Sequence, residues 1–164
     1  MPIELYRIDD RLIHGQVVVG WGQPLDLQRI ILVDDEVAAS EWEQELYRMG
    51  VPPEMDVHFL DVATAAAQLP ALQRDLARSI VLVGSVATMA ALVADSGNTV
   101  PTINLGGVHH AAGRTQRMRY VFLTDDEEQQ LRALASRGVT ITAQDVPAAR
   151  PIPLEQVLDG RGDG

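Results

Sequence analysis

Ser79-Ile80-Val81-Leu82-Val83-Gly84-Ser85-Val86-Ala87-Thr88-Met89-Ala90-Ala91-Leu92-Val93 decides the fold class. An unbroken apolar run after Ser79 is what a strand buried on both faces requires. Gly84-Ser85 stops the run, and Val86, Met89, Ala90 and Val93 then recur at the i, i+3, i+4, i+7 spacing of a helix face. Strand, tight turn and helix make up the first part of a βαβ unit. Ser96-Gly97-Asn98 closes the helix, and Val100 to Leu105 reads as the next strand.

The same alternation extends in both directions. Toward the N-terminus, Met55 to Leu60 is a strand, followed by Asp61 as N-cap of an Ala-rich helix that Pro70 is expected to interrupt. Arg29 to Val33 is another buried strand, ending at Asp34-Asp35-Glu36, acids that suit a helix start. One helix should then carry Ala38, Trp42, Leu46 and Met49 and stop at Gly50. Ile3 to Ile8 is the first strand. Toward the C-terminus, Gly106 to Gln116 reads as a long polar loop and Tyr120 to Leu123 as a strand. Thr124 and Glu127 form a capping box for a helix ending at Arg137-Gly138. Val139, Ile141 and Ala143 alternate with Thr140 and Thr142, as an edge strand does, and Pro153 to Leu158 is a short helix. The expectation is an α/β fold with a largely parallel sheet, in a single domain over 1–159 with a flexible tail at 160–164.

At 164 residues the chain is about the size of one ordinary domain. It has no cysteine, which removes disulfides and thiolate chemistry. The net charge of −10 argues against nucleic acid or an anionic membrane as the main partner, so any anion site must be local. No apolar stretch is long enough for a membrane span, and Met1-Pro2-Ile3-Glu4 does not resemble a signal peptide, so a cytoplasmic location is expected. All thirteen basic residues are arginines. Without lysine there is no Walker-type phosphate loop and no Schiff base, so phosphate chemistry must run on arginine, histidine and backbone amides.

Arg7-Ile8-Asp9-Asp10-Arg11-Leu12-Ile13-His14-Gly15-Gln16 supplies those groups directly after the first strand. Ligands of open α/β sheets bind at the carboxyl ends of strands. His14 is the candidate nucleophile toward phosphorus, although a lone histidine also serves as a turn cap. Arg11 is the candidate clamp on phosphoryl oxygens, or else a surface ion-pair partner. Either Asp9 or Asp10 could fix the imidazole tautomer, the other capping the turn. Arg7, by strand alternation, should lie on a sheet face, outside the loop. Gly15 and Gln16 open an apolar stretch in which Val17 and Trp21 could share a helix face, placing free N–H groups beside His14. Gly106-Gly107 is either a turn or a backbone cradle for phosphate oxygens, and Arg114 on the same loop either reaches the site or stays solvated. His109-His110 lacks a third ligand at metal-binding spacing, so no metal is expected.

The first motif, with Asn104-Leu105-Gly106-Gly107 and Gly113-Arg114-Thr115-Gln116 downstream, resembles the IIB component of the mannose/fructose/sorbose family of the bacterial phosphotransferase system. That resemblance also takes in Val33 to Ala38 and the element spacing to about Leu158. It implies a three-layer α/β/α fold whose twisted, mainly parallel sheet has about seven strands. It further implies that His14 accepts a phosphoryl group from the phosphohistidine of a IIA protein, on the ring nitrogen nearer the backbone, and passes it to a sugar presented by membrane IIC and IID subunits. Arg11 would assist, Gly106-Gly107 would border the phosphate, and no metal or soluble cofactor beyond the covalent phosphohistidine would be needed. Association with the inner membrane through IIC and IID, and a homo-oligomer, are compatible with this reading. The alternative function is a regulatory phosphohistidine module not coupled to sugar transport.

Overall fold

In the computed structural model, which describes residues 3–160, β1 (Ile3–Ile8) runs into a loop and a short π-helical segment, Gln16–Trp21. There follow β2 (Arg29–Val33), α1 (Asp35–Ala38), α2 (Glu41–Arg48), β3 (Asp56–Leu60), α3 (Val62–Arg74), β4 (Ser79–Val83) and α4 (Val86–Asp95). The second half adds β5 (Thr102–Leu105), a hairpin of β6 (Thr115–Met118) and β7 (Val121–Leu123), α5 (Asp125–Ser136), β8 (Thr140–Ala143), β9 (Ile152–Pro153) and α6 (Leu154–Leu158). The main sheet has seven strands in the order β3-β2-β4-β1-β5-β8-β9, parallel except for β9.

Alternation along the central strands divides the core into two layers. Ile30, Leu32, Ile80 and Leu82 pack toward the π-helical segment and Val37, whereas Ile31, Val33, Val81 and Val83 pack toward Leu69, Met89, Leu92, Leu131 and Val157 of α3 to α6. All five residues of β2 and of β4 are buried, which is why both read as continuous apolar runs. From β1 the chain moves to β2 and β3 on one side, returns to β4, and then crosses to β5 and β8 on the other. The reversal puts the carboxyl end of β1 where open α/β sheets leave a crevice for ligands.

Four local expectations change. The helix expected across Ala38 to Met49 is two helices, because Ser40 is extended and its Oγ caps α2 by accepting from the Glu43 N–H at 3.4 Å. The side chains of Trp42, Leu46 and Met49 face water. Pro70 does not interrupt α3: its ring is exposed, and burial of Ala65, Ala66, Leu69 and Leu72 outweighs the one backbone bond it removes. The polar loop is shorter than expected, since Thr115 to Met118 pair with β7. β8 is not the edge, because β9 covers it through the pairs Thr142–Pro153 and Ala143–Ile152. Pro153 can sit there because an edge residue has no further donor to supply. The tail expected at 160–164 lies, beyond Gly160, outside the described residues.

Met89 is wholly buried between sheet and helices, so Met89→Ala should lose about 2–5 kcal/mol in urea unfolding. Trp42→Ala, on a face that touches no core, should change stability by less than about 0.5 kcal/mol in the same measurement.

Candidate functional site

The loop after β1 is held on both sides. The Asp9 N–H donates to the Val83 carbonyl (2.9 Å) at the end of β4, the Gly106 N–H donates to Ile8 (2.7 Å), and the Asp10 N–H donates to Gly107 (2.8 Å). Leu12 takes a positive φ of 59°, which a non-glycine residue adopts only when its surroundings insist. Here the Leu12 N–H donates to the Asp9 carbonyl at 3.0 Å and the side chain is buried against Gly84, where a Cβ would lie 3.1 Å from it. The bend turns the chain back so that His14 returns over Asp9.

Asp9 is fully buried and gathers three cationic or imidazole groups. Its Oδ2 lies 3.3 Å from Nη2 of Arg7 and 3.3 Å from Nε2 of His14, and its Oδ1 lies 3.6 Å from Nε of Arg11. The Arg11 backbone N–H also donates to Oδ1 at 3.2 Å. The His14 Nε2 contact is close yet off the line of a straight hydrogen bond, and no other acceptor serves that buried nitrogen. On the other edge of the ring, the Gln16 N–H donates to Nδ1 at 3.3 Å. An N–H aimed at Nδ1 requires a lone pair there, which assigns the ring proton to Nε2, beside the carboxylate. Nδ1 is thus the unprotonated ring nitrogen, its lone pair facing the Gln16 N–H. The His14 side chain is 17% exposed, and nothing lies within 4 Å of where a Cβ on Gly15 would sit, so this edge stays open to an incoming group.

Arg7 is the group missed in the sequence. It is fully buried, and besides Asp9 its guanidinium donates to Asn104 Oδ1, to the Gln144 carbonyl (2.9 Å) and to the Asp145 carbonyl (3.3 Å). It also lies 4.8 Å from the centroid of the Trp21 ring, whose Nε1–H donates to the Asp145 carbonyl at 3.3 Å. Strand alternation correctly put Arg7 on a sheet face. What periodicity alone could not reveal is that this face, at the end of β1, meets Asn104 of β5 and the turn after β8. Gly106 passes close over the guanidinium, and a Cβ there would run into it. Burial lowers the Arg7 pKa from its ordinary value, opposed chiefly by Asp9, and an arginine so placed still stays charged.

The remaining candidates fall into a second group. Asp10 faces away from His14 and pairs with His109, its Oδ1 2.6 Å from Nδ1 and its Oδ2 accepting the His109 N–H at 2.7 Å. Gly107 leaves room for that ring: a Cβ would lie 2.8 Å from Cε1 of His109 and 3.5 Å from Oδ1 of Asp9. Arg114 is committed to Glu127 through two bonds of 3.1 and 2.9 Å and to the His109 carbonyl at 2.8 Å, which bolts the loop to the start of α5. His110 packs edge-on against Phe122, and no cluster of three or more His, Asp or Glu side chains suited to a metal occurs among the described residues. Gln16 links the groups, its Oε1 accepting from Nη2 of Arg11 at 3.2 Å and its Nε2 donating to Asp145 Oδ1 at 3.3 Å. Arg11, with a side chain 44% exposed, keeps its guanidinium at the rim of the cluster, held by Asp9 and Gln16 yet accessible to solvent.

Burial alone would push the Asp9 carboxyl up, and the His14 ring, the Arg7 charge and the Arg11 N–H together hold it below the usual aspartate range. A carboxyl depressed by folding stabilises the fold at pH values above its unfolded pKa of about 3.9 and ceases to do so as pH falls through the folded value. Asp9→Asn should therefore cost about 3–5 kcal/mol at neutral pH, because Arg7 stays buried without its counter-charge. In urea melts, the gap between variant and wild type should stay constant above about pH 5 and close below about pH 4.

Comparison with known proteins places this geometry. The family model for the sorbose-subfamily IIB component of the phosphotransferase system (PTS) matches residues 3–162. The sorbose-specific EIIB component of Klebsiella pneumoniae is 32% identical over 159 residues, covering 97% of this chain and 94% of its own. The mannose-specific EIIAB component of Escherichia coli K12 is 32% identical over 146 residues, 89% of this chain; the chain spans only 45% of that relative's length. Among solved structures, manxB from Thermoanaerobacter tengcongensis superposes with a TM-score of 0.85 at 30% identity, covering 96% of this chain and 95% of its own. The IIBSor domain of the Klebsiella pneumoniae sorbose permease gives 0.84 at 31% identity, over 97% and 98%. With a family match along nearly its whole length and the same seven-stranded, mostly parallel architecture, the chain belongs to the sorbose-subfamily IIB components of the sugar-specific PTS, whose general role is phosphotransfer.

Proposed function

We propose that His14 is the phosphoryl carrier: its Nδ1 takes the group from the phosphohistidine of a IIA protein and delivers it to a sugar hydroxyl presented by membrane IIC and IID subunits. The observation that carries this reading is the division of labour on one ring, with Nε2 beside the buried Asp9 and Nδ1 met only by the Gln16 N–H on an open edge. In the first step the donor's P–N bond breaks, its electron pair stays on the donor ring, and a new P–N bond forms from the Nδ1 lone pair. Positive charge then grows on the His14 ring next to the Asp9 carboxylate, which stabilises it. In the second step the pair returns to Nδ1 as a P–O bond forms, and the sugar hydroxyl releases its proton to solvent.

Such a carrier must hold phosphoryl with a free energy close to that of its donor, so it needs modest stabilisation. As the Nδ1 lone pair is taken up in the P–N bond, the Gln16 N–H is released to donate to a phosphoryl oxygen, and the rim guanidinium of Arg11 supplies a second charge-assisted bond. Arg7 and Asp9 keep the ring in place without touching the group; Gly15 leaves open space beside the ring, while Gly106 and Gly107 border the site and make room for the Arg7 guanidinium and the His109 ring. Asp10 and Arg114 act at a distance by fixing the His109 loop. The relay uses no metal or soluble cofactor. No helix among the described residues is long and apolar enough to cross a membrane, and the chain would work at the cytoplasmic face, attached through IIC and IID.

Incubation with phosphoenolpyruvate carrying labelled phosphate, the general PTS carriers and a IIA protein should give the wild type acid-labile, base-stable label, with a phosphorus NMR signal of Nδ1-phosphohistidine. His14→Gln should acquire none, and an equally labelled His14→Gln would refute the assignment. Arg11→Ala should still be labelled, about 10- to 100-fold more slowly, the kinetic equivalent of losing about 1.5–3 kcal/mol from one charge-assisted contact.

A further inference from the structure

α2 contributes no buried residue to the protein. Trp42, Leu46 and Met49 follow one another at spacings of four and three, which aligns them along one stripe, and they are 70, 53 and 83% exposed. Single exposed apolar residues are commonplace, whereas a tryptophan, a leucine and a methionine in line are what interaction surfaces show. The helix is fixed in this orientation from behind: the Gln44 amide donates to the carbonyls of Val37 (3.1 Å) and Ala38 (3.2 Å), and Tyr47 packs partly into the core. At 100° per residue, Glu43 borders the stripe on one side and Glu45 and Glu41 border it on the other. Arg48 lies 5.1 Å over the Phe59 ring and 3.6 Å from Oε1 of Glu45, so it offsets that one glutamate, and Glu41 and Glu43 keep the rim acidic.

That rim selects the occupant. A second copy would bring glutamates against glutamates on two molecules each carrying a net charge of −10, and an anionic bilayer would be repelled in the same way. A segment with apolar anchors flanked by arginine or lysine is complementary. Loops of membrane proteins on the cytoplasmic side are enriched in those residues. The stripe's helix follows directly on α1, which is capped by Asp34 and starts at the carboxyl end of β2, the same end of the sheet that carries His14, with one strand between and so roughly 10 Å along the sheet. From these features we infer that the Trp42-Leu46-Met49 stripe is the docking surface for an Arg/Lys-flanked apolar segment on the cytoplasmic side of the membrane-embedded sugar subunit. The inference rests on the phosphocarrier reading above and adds the contact by which the carrier finds its acceptor.

The test uses the full chain, proteoliposomes of phosphatidylcholine holding the IIC and IID subunits of a sorbose-type PTS, and protein-free vesicles of phosphatidylcholine with phosphatidylglycerol. Trp42→Ser/Met49→Ser should charge at His14 as wild type does, yet bind the proteoliposomes at least about 10-fold more weakly and deliver phosphoryl to sugar more slowly. Glu43→Gln/Glu45→Gln should weaken binding less and reduce its salt dependence. Wild type that charges but does not bind the proteoliposomes, or a serine variant that binds as well as wild type, would overturn the docking surface. So would a wild-type dimer in sedimentation that the serine variant dissociates, which would assign the stripe to a second copy, or equal binding to the protein-free vesicles, which would assign it to lipid. Wild type that never charges at His14 would instead bring down the phosphocarrier reading itself.

Discussion

A buried ion pair organises this molecule's working end. Arg7 and Asp9, both without solvent access, lie two residues apart at the point where β1 stops pairing with its neighbours. Removing two charges from water is costly, and the pair survives because both terminal nitrogens of Arg7 and both oxygens of Asp9 meet rigid partners, the Arg7 Nε–H being left without an acceptor among the described residues. For Arg7 those partners are Asn104, two carbonyls after β8 and the face of Trp21; for Asp9 they are the Arg11 N–H and the His14 ring. The pair therefore ties the first strand, the π-helical segment, β5 and the turn after β8 into one unit. His14 inherits its orientation from that unit. A ring on a loop is held precisely only when its support is not itself mobile, and here the support is the centre of the sheet.

The same arrangement gives the two arginines different settings. Arg7 is spent inside, neutralising Asp9 and holding backbone carbonyls, while Arg11 sits at the rim, partly exposed and held by Asp9 and Gln16. One guanidinium is fully buried and the other open to solvent although they are only four residues apart. Under the phosphocarrier reading, a phosphoryl group on the outer nitrogen of His14 would meet a backbone N–H and this accessible charge, enough to steady it in transit and too little to trap it.

Charge also separates the faces of the protein. Around His14 the acids Asp9, Asp10 and Asp145 each meet an arginine or histidine, whereas α2 presents glutamates around an apolar stripe. A carrier that must meet a donor and an acceptor in turn gains from having unlike surfaces, because each partner is then steered by a different field. The acids beside His14 are matched by guanidinium or imidazole groups, so a total charge of −10 does not by itself oppose an anion at that ring.

What the sequence determined by itself was the local and the periodic. The apolar runs at Arg29 to Val33 and Ser79 to Val83 could only be central strands; Thr124 with Glu127 could only open a helix; and the cluster from Arg7 to Gln16 placed histidine, arginine and aspartate together at a strand end. Those features follow from contacts within a few residues, which spacing records. Only the tertiary structure decided that Asp9, not Asp10, lies beside His14, that Arg7 is a buried anchor, and that Gly106 and Gly107 give way to Arg7 and His109. It alone turned the Trp42 stripe outward and left Arg114 holding Glu127. Each of these depends on partners far away along the chain, such as Arg7 with Asn104 and Gln144 or Asp10 with His109, and a local pattern holds no record of which distant strand end will fold against it.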